Sequence, residues 1–101
     1  MKRKNDVVTL FPKDAGSPPA APKPDERAAR RVFAYASRVG MKEFYESAAV
    51  GMTPVLKVTI WQGEYAGQIF VRHQGTTYKV LRAYDDKSAR ETELTCEEAV
   101  L

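Results

Sequence analysis

Apolar residues along this chain recur mostly at every second position, the period of a β-strand with one face toward a core. DVVTLF, residues 6–11, is the first such run, and it ends at Pro12, which lacks the N–H that a ladder needs. RRVFAYASRV, residues 30–39, sets Val32, Ala34 and Ala36 on one face and Phe33 and Tyr35 on the other. Apolar groups on both faces point to a central or interface-forming strand. In TPVLKVTIWQG, Leu56, Val58 and Ile60 alternate with Lys57 and Thr59. QIFVRHQGTTYKVLRAY reads as a hairpin turning at Gln74-Gly75, where glycine supplies the positive φ of a tight turn. Alternation puts Tyr78, Val80, Arg82 and Tyr84 on one face, so the Arg82 guanidinium is expected between tyrosines or against a carboxylate. After a turn at DDKSA, RETELTC closes the series, with Leu94 and Cys96 inward and Glu91, Glu93 and Thr95 outward.

One segment breaks the two-residue period. In GMKEFYESAAVGM, the residues Met41, Phe44, Tyr45, Ala48, Ala49 and Met52 follow the three-and-four spacing of an amphipathic helix over about 41–50. Gly40 can cap its start, and Glu43 favours the positive helix end. Gly51 suits a left-handed C′ position, and Pro54 prevents a restart. The pattern predicts a lid whose apolar stripe is buried on the sheet, with Phe44 in the core. Lys42, Glu43, Glu46 and Ser47 then form the exposed face.

A second segment has neither period. Between the first two strands, residues 12–29 hold prolines 12, 18, 19, 22 and 24, five of the chain's six. Such a stretch favours an extended, polyproline-like path and is read as a mobile loop with little part in the core. DERAARR at its end can add one helical turn. The expected fold is mainly β: a six-stranded barrel or curled antiparallel sheet, one short helix, and this loop, in a single domain spanning 1–101.

Composition narrows the function classes. The 101 residues fit one domain, and 44% hydrophobic with 29% charged residues is ordinary for a soluble protein. No apolar run approaches a bilayer span, and VVTLF is too short for a signal peptide, so no membrane partner is expected and a cytosolic chain is. Cys96 is the single cysteine, which excludes an internal disulfide. Net charge is +3, unevenly spread: nine Lys/Arg against four Asp/Glu over residues 1–38, and seven against nine thereafter. A basic front and an acidic rear suit head-to-tail association or contact with a polyanion.

Catalytic chemistry has little to stand on. His73 is the only histidine, no metal-ligand spacing surrounds it, and phosphate-loop, dinucleotide and serine-nucleophile motifs are absent. Asp85 and Asp86 sit where turn carboxylates cap backbone. No catalytic residue, metal or cofactor is expected. A rival reading is a barrel that binds single-stranded nucleic acid or a peptide, with Trp61, Tyr65 and Tyr78 beside Arg72 and Arg82 as a stacking surface. The acidic second half opposes a continuous phosphate-tracking groove.

The order of these pieces carries a resemblance. RVGMKEFYESAAVGMTPVLKVTI resembles the middle of the phage head closure family, also called head-tail joining or stopper proteins: a strand, a helix with EFY, then G-x-x-P and another strand. EYAGQIFVRHQGTTYKVLRAY is similar to that family's hairpin, at Tyr65, Gly67, Val71, Gly75, Tyr78, Val80, Arg82 and Tyr84. ETELTCEE is similar to its closing strand, at Glu93, Leu94, Thr95 and Cys96. The likeness runs over residues 30–98 and makes Gly40, Phe44, Tyr45, Gly51 and Pro54 family-matching structural positions too. It implies a small barrel that assembles into a homo-oligomeric ring below the portal and adaptor. Such a ring closes the channel over packaged double-stranded DNA and receives the tail completion proteins. Placement at the virion head-tail interface follows, with assembly in the host cytoplasm. The Pro-rich loop departs from the family pattern. Its Lys13, Pro18, Pro19, Pro22, Lys23 and Arg27 are expected to face either the channel or a neighbouring subunit.

Overall fold

A computed structural model describes residues 3–101. Six antiparallel strands close into a barrel in the order β1-β2-β3-β6-β5-β4. They are β1 (Asp6–Phe11), β2 (Arg30–Arg38), β3 (Leu56–Trp61), β4 (Phe70–His73), β5 (Thr76–Asp86) and β6 (Glu91–Glu98). One helix, α1 (Met41–Ala48), joins β2 to β3. Closure comes from β1, which pairs with β2 through Val8↔Val32 and with β4 through Leu10↔Val71. Among the described residues no long sheet edge is left open, which a small all-β protein must otherwise protect.

The interior is the alternate set that strand period dictates: Val8, Leu10, Val32, Ala34, Leu56, Val58, Ile60, Val71, Leu94 and Cys96 are all buried in one cluster. Leu94 and Cys96 point inward as alternation requires. The β4–β5 turn is tight, with Gln74 at φ 51° and Gly75 at φ 82°. Both central residues are thus left-handed, the conformation that matches the twist of the flanking strands.

β5 departs from simple alternation. Val80 pairs with Cys96 and Arg82 with Thr95, so Leu81 is an extra residue in the strand. The bulge reverses which side chains face in. Tyr78 and Val80 pack against the core, whereas Arg82 and Tyr84 emerge on the exposed outer surface. The single face expected for these four residues is therefore split. Arg82 finds a carboxylate, Glu43, and not a pair of tyrosines.

The Pro-rich segment folds back on itself. Asp14 N–H donates to Lys23 O at 2.7 Å, Asp25 N–H to Pro12 O at 2.9 Å, and Lys13 and Pro24 form an isolated bridge. Within this pinched loop the Ser17 hydroxyl donates to Asp14 O at 2.6 Å. A 3₁₀ turn at Glu26–Ala28, capped by Asp25, supplies the helical turn expected from DERAARR. Phe11 and Phe70 pair directly across β1 and β4, outside the main cluster, yet are only 2% and 1% exposed. Ala20, Ala21 and Pro22 line a cavity with Phe70. Arg72 lies over the Phe11 ring at 4.5 Å and donates two hydrogen bonds to Glu26, at 3.0 and 2.8 Å. The segment thus lies beside Phe70 through Ala20, Ala21 and Pro22, and relates to Phe11 through Glu26, which holds the Arg72 guanidinium over that ring.

Candidate interaction surface

The feature that sets this barrel apart is the way α1 lies on it. The helix ends in a Schellman turn: Gly51 takes φ 83°, Met52 N–H returns to Ser47 O at 3.0 Å, and Gly51 N–H to Ala48 O at 3.1 Å. Its start at Gly40 has no side-chain cap. Capping and length, close to 41–50, agree with the sequence reading. Orientation does not.

No residue of α1 is buried. Met41 is 68% exposed and Tyr45 63%, and Ala48, Ala49 and Met52 are exposed as well. Phe44 is half-buried and meets Tyr45 edge-on, with ring centroids 5.8 Å apart. The stripe expected in the core faces outward, and the expected lid is not what the chain builds.

The face of α1 turned toward the barrel carries Glu43, Phe44 and Ser47, the only partly buried residues of the helix. Lys57 on β3 and Arg82 on β5 both pair with Thr95 of β6, so their side chains flank one point on the barrel wall. Glu43 sits above that point. The Lys57 ammonium donates to Glu43, and Arg82 Nη2 approaches Glu43 Oε2 at 3.4 Å. Glu93 Oε1 adds a longer contact to Lys57 at 3.8 Å. Glu43's hydrogen bond chiefly holds the Lys57 ammonium above the ordinary lysine range. Ser47, one turn further on, lines a small cavity with Pro54, Leu81 and Thr95. Thr95 is an outward residue by alternation, yet it is only 4% exposed.

Of the four helix residues expected to face outward, Lys42 and Glu46 do so, as an exposed i,i+4 pair at 4.0 Å. Glu43 and Ser47 turn toward the barrel instead. Val50, 69% exposed, extends the outer apolar surface beyond the helix.

The stacking surface considered for nucleic acid is dispersed. Tyr65 is half-buried against the core and donates its hydroxyl to Gln68 O at 2.9 Å, and Tyr78 packs inward. Trp61 is 49% exposed, but Lys4 Nζ lies 3.6 Å from its ring centroid and also pairs with Glu91. Arg72 is held by Glu26 and Arg82 by Glu43. Lys4 escaped the sequence reading because its partners are far along the chain. Only the Trp61↔Glu91 register, invisible before pairing is known, brings them together.

Among the loop residues, Lys13, Pro18, Pro19, Lys23 and Arg27 are exposed and Pro22 is partly covered. Arg27 Nε reaches Asp25 at 3.5 Å. His73 Nε2 and Asp6 Oδ2 lie 2.6 Å apart where β1 and β4 diverge, and this hydrogen bond chiefly lowers the Asp6 carboxyl. Cys96 is a buried thiol pushed up to about 12 by desolvation. No group of three or more potential metal ligands occurs among the described residues. None of their helices is long and apolar enough to cross a membrane. The chain matches no protein-family model and no curated protein.

Proposed function

We propose that this chain is a non-enzymatic structural subunit of a phage or prophage head-tail connector. In this reading, copies form a ring beneath the portal and adaptor, close the channel after DNA packaging, and present the docking surface for the tail. The observation that carries the reading is the outward apolar face of α1, at Met41 and Tyr45, each more than three-fifths exposed. A short helix held on a barrel by ion pairs, with its apolar stripe left open, is arranged for contact with another protein. The serial order of the EFY helix, the Q-G hairpin and the ELTC strand supports the choice of family.

The test is to add purified protein to DNA-filled, portal-bearing capsids and image the portal vertex by electron microscopy. A ring of density below the portal, with retained genome, is the expected result. An unchanged vertex, with salt-dependent binding of single-stranded oligonucleotides, would replace this reading with the nucleic-acid one.

A further inference from the structure

The outward helix face has a complement elsewhere on the same chain. Phe33 on β2 is 62% exposed and, with Val7 and Val32, floors a shallow groove of about 400 Å³ edged by Arg31 and Glu64. Neither Arg31 nor Glu64 has an ion-pair partner among the described residues. The α1 face has a similar make-up: Met41 and Tyr45 as an apolar row, with Lys42 and Glu46 along one side of it. Each surface thus offers apolar groups and one charge of each sign.

Their placement matters as much as their chemistry. The groove lies on β1 and β2, while α1 stands over β6, between Lys57 of β3 and Arg82 of β5. In the closed order β1-β2-β3-β6-β5-β4 these are roughly opposite flanks of the barrel. A chain cannot satisfy its own groove with its own helix. Two different patches on opposite flanks make a head-to-tail contact, the kind that propagates to a ring or a filament.

We propose that the occupant of the Phe33 groove is α1 of a second copy of this chain, with Tyr45 and Met41 against Phe33 and Val7. In this contact Glu46 faces Arg31 and Lys42 faces Glu64. The inference rests on the ring reading only for closure of the array; the pairwise contact stands without it.

The test is cross-linking between full-length chains. Tyr45→Cys and Phe33→Cys are prepared separately and oxidised alone or as a mixture. Both positions are exposed, and Cys96 is buried with its thiol pushed up to about 12, so it competes poorly. The expected result is a disulfide-linked dimer from the mixture and little from either variant alone. Arg31→Glu added to the Phe33→Cys chain should abolish the product, and Glu46→Arg added to the Tyr45→Cys chain should restore it. Equal cross-linking by Tyr45→Cys alone would overturn the proposal in favour of a symmetric helix-to-helix contact. No product from the mixture, or no response to the charge reversals, would overturn it outright. These results are independent of portal binding, so a failed connector role and a failed contact are told apart.

Discussion

Glu43 of α1 and Lys57 of β3 form the ion pair that seats the helix on the barrel, and Arg82 reaches the same carboxylate from the far side of β6. The side chains of Glu43 and Lys57 are 25% and 27% exposed, so the pair is shielded from solvent more than Lys42–Glu46, at 90% and 67%. Glu43→Ala is therefore expected to cost about 1 kcal/mol and to loosen α1. Glu46→Ala should change stability by less than about 0.5 kcal/mol. Hydrogen exchange of the α1 amides separates the two. Equal protection in both variants would mean that Glu43 does not seat the helix.

Helix and barrel residues should respond very differently to truncation. Ile60 is fully buried, so Ile60→Ala should cost about 2–5 kcal/mol through lost burial and the cavity left behind. Tyr45→Ser is expected within about 0.5 kcal/mol of the parent. Phe44→Ala, half-buried, should fall between, at about 1–2 kcal/mol. Urea midpoints measure all three. A Tyr45→Ser loss comparable to that of Ile60→Ala would show that the stripe packs within the monomer.

Stability should fall at both pH extremes for separate reasons. Asp6 is held below the ordinary aspartate range, chiefly by His73, and Glu26 below the glutamate range, chiefly by Arg72. A depressed carboxyl contributes stability that is complete above its unfolded value and is lost as pH falls through its folded value. Lys57, raised chiefly by Glu43, contributes stability present below its unfolded value and lost as pH rises through its folded one. Asp6→Asn should flatten the acid limb, below about pH 4, while leaving the alkaline limb intact. Identical acid limbs in parent and variant would remove Asp6 from the account.

The hairpin tip carries a mild backbone cost that can be relieved. Gln74 holds φ 51° without being glycine. Asparagine enters that region more readily. Gln74→Asn should raise stability by about 0.5 kcal/mol, whereas Gly75→Ala, at φ 82°, should lower it by about 1 kcal/mol. Thermal melts decide, and a stabilising Gly75→Ala would contradict the left-handed turn.

Replacing residues 15–24 with a short Gly/Ser linker should leave a folded barrel that is less stable by about 2 kcal/mol. The loss follows from partial exposure of Phe70, beside which Ala20, Ala21 and Pro22 lie. Circular dichroism should keep its β signature while the denaturant midpoint drops. An unchanged midpoint would show that the loop does not cover this ring.

Strand positions were legible because alternation is local: Leu56, Val58 and Ile60 declare an inward face whatever their partners are. The helix was legible in extent for the same reason. Its direction was not, since a stripe from Met41 to Met52 states which residues share a face and not what lies opposite. What lies opposite is Lys57 and Arg82, which Glu43 meets from two distant strands. Arg82 itself was misplaced because Leu81 adds one residue to β5, and a bulge leaves no mark in a hydrophobic pattern. Lys4 over Trp61 and Arg72 over Phe11 depend on pairing between distant strands, which period alone does not reveal.

The way β1 closes the barrel also has a consequence in time. β2, β3 and β1 pair across short or moderate sequence distances, but the seam joins Thr9 to Arg72. Contacts between residues so far apart pay their loop-closure entropy before they return any stability, and they slow folding. During synthesis Val8, Leu10 and Phe11 leave the ribosome long before Phe70 and Val71 exist. The first strand must therefore wait, pairing at most with β2, until β4 arrives, and the barrel shuts only when β6 pairs with both β3 and β5.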